Sequence, residues 1–464
     1  MTYLLNLSIT QGVFPNELKL AKIIPLYKAG NKSSIDNYRP ISVLPYFSKL
    51  YERIMYNRVI QFIEIKNILY ACQFGFRKKH STGFAISYIV NKIHDGFNNH
   101  NCTLGVFLDF SKAFDTVDHS ILLQKLEHYG IRGLALSWFK SYLSCKKQFV
   151  SINNCCSDYQ HITCGVPQGS ILGPLLFLLY INDLAYISQK LCFVMFADDS
   201  NVFLSGSNIN EMILTMNDEL LKVTSWLNSN KLSLNVDKSK HIIFSVNNVK
   251  PEKNVIINDT VLEKVTDSKF LGIVIDYKLS WKQHILYVKS KLSKHIAILY
   301  KARKVLCCKS LITLYYSFIY PFFTYGLEIW GRSYITEIES LFRLQKKIVR
   351  IITSSKYYDH TEPLFASLKL MPLSRLYEYR MIMFLFKYHN SQVPTVLNDI
   401  FLRNSDVHRY NTRNADSFIV PEFCNEIFKR SFIYNGVVVY NKAIKHFDFS
   451  VSFAFPTSSK IFLS

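Results

Sequence analysis

Three aspartates have types and positions that could do chemistry together. Asp109 closes the apolar run Thr103–Leu108, and Asp198 and Asp199 lie side by side between two further apolar runs, Leu191–Phe196 and Asn201–Leu204. A carboxylate at the end of a buried strand is costly unless it is paired or binds a metal. Adjacent acids in a turn are common on their own, but an acid from a strand end meeting two from a neighbouring turn forms a set of hard oxygen ligands. Such ligands suit Mg²⁺. Two Mg²⁺ ions about 3.5–4 Å apart can activate a hydroxyl and stabilise a departing pyrophosphate in an in-line displacement. The chemistry open to these residues is metal-assisted nucleotidyl transfer.

The elements that must position the acids can be read from the same stretch. The periodicity predicts a strand over 103–108 and a β-hairpin over 191–204 whose turn is Ala197-Asp198-Asp199-Ser200. A helix is expected over His119–His128, with Gly130 as its stop. Ile209, Met212, Met216, Leu220, Val223 and Leu227 recur at three or four residues and predict one helix face. Val255–Val265 reads as a hairpin around Asn258-Asp259, and Lys269–Ile275 as one further strand. The middle third is therefore mixed α/β.

Composition narrows the class of partner. The chain has 464 residues, of which 49% are hydrophobic and 19% charged, which excludes a disordered or low-complexity polymer. Its length suits about three packing units of roughly 150 residues. Lys and Arg number 55 against 34 Asp and Glu, a net charge of +21 that points to a polyanion, nucleic acid before an anionic membrane surface. Residues 1–80 carry +8 and residues 277–356 carry +12, with no acid between Trp281 and Leu327. Ile285, Val288, Leu292, Ile296 and Leu299 beneath the lysines predict an amphipathic helix with one basic face, open either to solvent or to phosphate.

Ten cysteines without any C-x-x-C spacing read as reduced thiols of an intracellular protein. Cys145, Cys155, Cys156 and Cys164 could form a zinc cluster, although their spacings match no ligand pattern. Met1-Thr2-Tyr3-Leu4-Leu5 lacks the basic start of a signal peptide. Ser310–Leu327 is uncharged and about long enough to span a membrane. Pro321 and several hydroxyl-bearing side chains interrupt it, so a buried helical hairpin is expected there. The histidines, His119 and His128 included, read as ordinary core or surface residues.

The acids sit in segments that resemble a known family. Phe107-Leu-Asp109-Phe-Ser-Lys-Ala-Phe114-Asp-Thr-Val-Asp-His119 resembles motif A of reverse transcriptases. Gly165-Val-Pro-Gln168-Gly169-Ser-Ile-Leu-Gly-Pro174 resembles motif B, Phe196-Ala-Asp198-Asp199 motif C, and the Lys238 segment from Leu232 to Ser239 motif D. Phe270-Leu-Gly272-Ile resembles the primer grip. Ala21–Lys28, Asn37–Pro45 and Gln73-Phe-Gly-Phe-Arg77 resemble the fingers motifs. Their order and spacing match non-LTR retrotransposons of the jockey-like group, strongly over about residues 10–276, and Tyr325–Gly331 and Leu344–Ile352 resemble that group's thumb region.

The resemblance implies an α+β right-hand polymerase: fingers over 1–104 with part of 130–165, palm over 105–276, a helical thumb over 277–356 and a C-terminal extension over 357–464. It implies RNA-directed DNA synthesis from an RNA template, a DNA primer and dNTPs with two Mg²⁺ ions, or Mn²⁺ in their place, and no membrane partner. Asp109, Asp198 and Asp199 would hold the metals. Phe114 would be the steric gate against a ribose 2′-hydroxyl, and Lys28 and Arg39 would grip the triphosphate, Arg with bidentate geometry. Gln168 and Gly169 would line the nucleotide and template pocket. Lys238, with Lys240 two residues on, would protonate pyrophosphate.

The element's life cycle implies nucleus and cytoplasm. Relatives carry an endonuclease ahead of the polymerase, so a piece of an element protein and a stand-alone domain both stand open. Asn435–Tyr440 occupies the place of a Trp-containing motif in relatives. An inactive, truncated remnant that only binds nucleic acid is the competing reading, and a group II intron maturase the third.

Overall fold

A computed structural model describes residues 2–153, 155–407, 416–423 and 425–445. The run that ends at Asp109 forms the strand Cys102–Leu108, every residue of which is buried. A strand covered on both faces carries a continuous apolar run rather than an alternating one. Phe107 joins one core with Ile86, Ile89 and Val90 of the helix Thr82–Asn98. Leu104, Val106 and Leu108 join another with Met212, Ile213 and Met216 of the helix Ile209–Ser229.

This strand is the centre of a five-stranded sheet ordered Glu263–Lys264, Lys240–Phe244, Cys102–Leu108, Asp199–Gly206, Cys192–Phe196. All neighbours are antiparallel except Glu263–Lys264, which runs parallel to Lys240–Phe244. A second sheet lies outside it. There Leu20–Tyr27 pairs antiparallel with Tyr38–Val43 and parallel with Lys147–Ile152, which also pairs with Cys155–Cys156 and Gln160–His161.

Several local expectations are met in kind, with shorter strands in the Asn258-Asp259 hairpin than the span 255–265 expected. The helix His119–His128 starts on Asp118, whose Oδ1 accepts from Ser120 N at 2.9 Å and Ile121 N at 3.0 Å, and Gly130 beyond it has φ 96°. Asn208 caps the helix Ile209–Ser229. Ile256–Ile257 and Thr260–Val261 pair around Asn258 and Asp259, which both take positive φ, as a type I′ turn requires.

Lys269–Ile275 differs from expectation. It is a tight hairpin, Asp267–Phe270 against Ile273–Asp276, because Leu271 (φ 45°) and Gly272 (φ 89°) both turn left-handed. The Tyr325 hydroxyl donates to the Leu271 carbonyl at the tip. Past this hairpin the chain is helical. The Asp276 carboxylate accepts from the backbone N–H groups of Lys278, Ser280 and Trp281 at 3.2, 3.0 and 2.8 Å and launches the helix Lys282–Ala302. That helix packs on Ile335–Thr353, and Leu373–His389 packs on Phe432–Ala443.

Ser310–Leu327 is a broken run: the helix Cys308–Leu314, a π-helical turn Tyr315–Ile319, the helix Tyr320–Thr324, then a left-handed Gly326 at φ 62°. Leu311, Tyr315, Ile319 and Phe323 bury one stripe of it. Among the described residues, no helix is long and apolar enough to cross a membrane.

Candidate active site

The central sheet brings the three aspartates together by register. Leu108 pairs with Ser200, so Asp109, one residue on, leaves its strand beside Asp199. Phe196 pairs with Asp199 across the neighbouring hairpin, which makes Ala197-Asp198 a two-residue turn, tighter than the four residues expected. Ala197 has φ 55°, at the turn position where type II′ hairpins carry glycine. A non-glycine residue held left-handed stores strain that the surroundings must restrain.

The restraint comes from the Gln73-Phe-Gly-Phe-Arg77 segment. Gln73 is fully buried, and its Oε1 accepts from Ala197 N at 3.1 Å and Gly75 N at 3.0 Å. Phe74 N donates to the Met195 carbonyl at 2.8 Å, and Met195 N donates to the Cys72 carbonyl at 3.0 Å. Gly75 must be glycine, since a Cβ there would lie 2.4 Å from Ala197 N.

Asp109 is held from the other side. Its N–H donates to Ser239 Oγ at 3.2 Å and its carbonyl accepts from Asn235 N at 2.8 Å. Ser239 Oγ in turn donates to the Asn235 carbonyl at 2.9 Å. The Lys238 turn is thereby fastened to Asp109. Lys238 is exposed and has no ion-pair partner among the described residues. Lys240 is occupied by Glu263 at 2.9 Å, which separates the two lysines that the sequence left in competition.

The electrostatics match a crowded acid cluster. Asp198 and Asp199 open onto solvent, yet protein fills the rest of their surroundings. That partial burial holds the Asp198 carboxyl above the usual carboxylate range, with the Asp109 charge adding to it and the Lys28 and Arg39 charges opposing. Asp199 is pushed up to about 6, first by burial and then by the charges of Asp198 and Asp109, with Lys28 opposing. Lys28 and Arg39 are thus within electrostatic reach of the acids. Both are exposed on the outer sheet, Arg39 paired with Leu26 and Lys28 just past the end of that strand. Asp36 of the connecting tip forms an ion pair with Lys112 at 2.7 Å.

Phe114 follows Asp109 in the motif A turn. It is half-buried, stacked on the buried ring of Phe177 at 4.3 Å and met edge-on by Phe76 at 6.5 Å. Gln168 is joined to the outer sheet, where Ser42 N donates to its carbonyl at 2.7 Å. Gly169 has φ 117°, and a Cβ on it would lie 2.7 Å from the Ser42 carbonyl. The structure brings Asp109, Asp198 and Asp199 to adjoining strand ends with Lys28 and Arg39 in electrostatic reach, ties the Lys238 turn to Asp109 through Asn235 and Ser239, and joins Gln168 and Gly169 to the outer sheet.

Partners of these residues escaped the sequence reading. Gln73 is one. Asp115 accepts from the Gln168 side chain, and the buried Glu52 accepts from Ile171 N and the Tyr142 hydroxyl, both at 2.7 Å. Gln73 and Asp115 lie inside the motifs named above, whereas Glu52 lies in none of them and gave no signal in sequence. The cysteines of the zinc reading are exposed, and no group of three His, Cys, Asp or Glu among the described residues is drawn together into a metal cage. The aspartates carry hard carboxylate oxygens, the donor type that Mg²⁺ takes one or two at a time beside water and phosphate.

Three acids thus stand at adjoining strand ends of a mainly antiparallel sheet, with two cations of the outer sheet in electrostatic reach. Residues 28–275 match the reverse transcriptase (RNA-dependent DNA polymerase) family, and the chain belongs to it. It is 28% identical over 386 residues to the RNA-directed DNA polymerase from mobile element jockey of Drosophila melanogaster, covering 80% of this chain and 42% of that protein. It is 30% identical over 378 residues to a protein of the same organism named as probable RNA-directed DNA polymerase from transposon BS, covering 77% and 41%. The chain spans about two fifths of the length of these relatives. Among solved structures, telomerase from Candida tropicalis in complex with a fragment of telomeric RNA is similar at a TM-score of 0.45 and 9% identity, covering 96% of this chain and 64% of that one.

Proposed function

We propose that the chain is the reverse transcriptase of a non-LTR retrotransposon, extending a DNA primer on an RNA template. The observation that carries this reading is the convergence of Asp109, Asp198 and Asp199 opposite Lys28 and Arg39, within a chain of the reverse transcriptase family. The primer 3′-oxygen would attack the α-phosphate of a dNTP in line, and pyrophosphate would leave. Two Mg²⁺ ions, or Mn²⁺, held by the three aspartates would supply charge neutralisation at both oxygens.

The remaining work belongs to the side chains. Lys28 and Arg39 bind the triphosphate, and positioning with fixed charges supplies most of the rate. Phe114 excludes the 2′-hydroxyl. Lys238, fastened to Asp109 through Asn235, delivers a proton to pyrophosphate. The segments 1–104, 105–276 and 277–356 act as fingers, palm and thumb around the hybrid. The protein works inside the cell, in nucleus and cytoplasm.

Primer extension on an RNA template with Mg²⁺ tests the reading. Asp198→Asn keeps the shape and removes a charge, so extension should fall by about a hundredfold or more while hybrid binding and fold persist. Extension by this variant at near the wild-type rate would sink the site assignment. A wild-type chain that binds hybrid but extends nothing would favour the inactive remnant.

A further inference from the structure

The Asp115 carboxylate faces the Gln168 amide with both oxygens, Oδ1 at 2.9 Å and Oδ2 at 3.1 Å from Nε2. A carboxylate only accepts, so it can face only the amide nitrogen, and this fixes which way the amide points. The amide oxygen Oε1 is then left over, and it accepts no hydrogen bond among the described residues. Gln168 is half-buried beside the exposed Gly169, so its side chain is not enclosed in the core. Its backbone is held independently by Ser42 of the strand that carries Arg39. Asp115 directly follows Phe114 and is itself fixed in the motif A turn, where its N–H donates to the Lys112 carbonyl at 2.8 Å.

We propose that Asp115 is a positioning residue for nucleotide selection. It locks the Gln168 amide with its nitrogen inward, so that Oε1 is presented as a hydrogen-bond acceptor to the incoming nucleotide. The inference rests on the polymerase reading and adds to it a residue that touches neither metal nor substrate. Asp115→Asn removes the lock, because a neutral amide can meet the Gln168 side chain in either orientation. Burial holds the Asp115 carboxyl above the usual range, yet the Gln168 hydrogen bond and the Lys112 charge favour its ionised form.

The test is a double-mutant cycle on the full chain with a template–primer. Asp115→Asn should raise KM for dNTP by up to about tenfold, the worth of one oriented hydrogen bond, and change kcat by less than about twofold. In the Gln168→Ala background the same substitution should change KM by less than about twofold, since a residue that acts only through Gln168 has nothing left to orient. A full-sized effect in that background overturns the proposal, as does an unchanged KM in the single variant. A chain-terminated primer gives a second readout without turnover: dNTP-dependent retention of labelled duplex, weakened by Asp115→Asn and not weakened further in the double variant. If the wild-type protein shows no such retention, the polymerase reading fails and this one falls with it. If retention is present and the two effects simply add, only the Asp115 proposal fails.

Discussion

Gln73 and Ala197, 124 residues apart, are joined by one hydrogen bond from the Ala197 N–H to the Gln73 Oε1. That bond holds the turn on which Asp198 sits, because Ala197 is left-handed without being glycine. The Gln73 Nε2 is buried with no partner among the described residues, so the side chain is kept at a desolvation cost.

Gln73→Leu should therefore act on catalysis as well as on stability. It strips the acceptor from two backbone N–H groups, those of Gly75 and Ala197. The expected loss is roughly 2 kcal/mol in unfolding free energy. Primer extension should drop by about 10- to 100-fold, since Asp198 is proposed as a metal ligand and a small displacement of a catalytic group is expensive. Urea unfolding and single-turnover extension measure the two effects. Normal extension in a destabilised Gln73→Leu protein would show that the turn keeps its shape without Gln73.

Phe114 is packed in the structure, and the gating role proposed for it can be tested separately from that packing. Phe177 braces the ring from behind, and Phe76 meets it from the Gln73 segment. Phe114→Val should admit ribonucleotides, shifting the dNTP/rNTP preference by at least about tenfold, or about 1.4 kcal/mol. Loss of the stacked pair adds about 1 kcal/mol of destabilisation. An unchanged preference together with reduced stability would reduce Phe114 to a packing residue.

Much of the site was legible in sequence because its signals are local. A continuous apolar run ending in Asp109 announces a strand buried on both faces, and paired apolar runs around Asp198 announce a hairpin. What escaped was of two kinds. Leu271 and Ala197 take left-handed backbone without being turn-forming residues, so a hairpin was read as one strand and a two-residue turn as four. The partnerships of Asp115 with Gln168 and Gln73 with Ala197 join residues 53 and 124 positions apart, and no periodicity encodes them. The choice between Lys238 and Lys240 likewise needed Glu263, which only the sheet brings near.

Lys146 provides a pH-dependent signature in the outer region. It is 4% exposed, with its ammonium 3.4 Å from the centre of the Tyr142 ring. Burial drives its pKa down from 10.5 to about 7, against the pull of Glu52. Above pH 7 the unfolded chain still holds a proton that the folded chain has released, so stability should rise with pH between about 7 and 10.5. Relative to Lys146→Met, the wild-type protein should gain roughly 2 kcal/mol between pH 7 and pH 9. Equal changes in urea midpoint for both proteins would mean that Lys146 is not titrating in this range.

The helix Lys282–Ala302 allows a sharper test of hybrid binding than its charge alone. Its buried stripe is Ile285, Val288, Leu292, Ile296 and Leu299, with His284 beside it. At about 100° per residue, Lys289 and Lys291 flank that stripe on opposite sides, and Lys294 stands nearly opposite it. Lys294 is exposed, whereas Lys289 and Lys291 are half-exposed, and the Lys291 ammonium lies 5.5 Å from the centre of the Tyr287 ring. A single duplex laid along the helix can therefore meet two of the three lysines at most. Each phosphate contact contributes about 0.9 to the log–log salt slope of binding to a B-DNA-like duplex, and an RNA–DNA hybrid should behave similarly in kind. Replacing Lys289, Lys291 and Lys294 by Gln should flatten the slope by about one to two units and weaken binding equally across sequences, because backbone contacts position without reading bases. Extension at saturating hybrid should survive, since the aspartates lie on the central sheet. A triple variant with an unchanged salt slope would assign this helix a solvent-facing role, and a loss of extension at saturating hybrid would place it closer to the chemistry than the fold does.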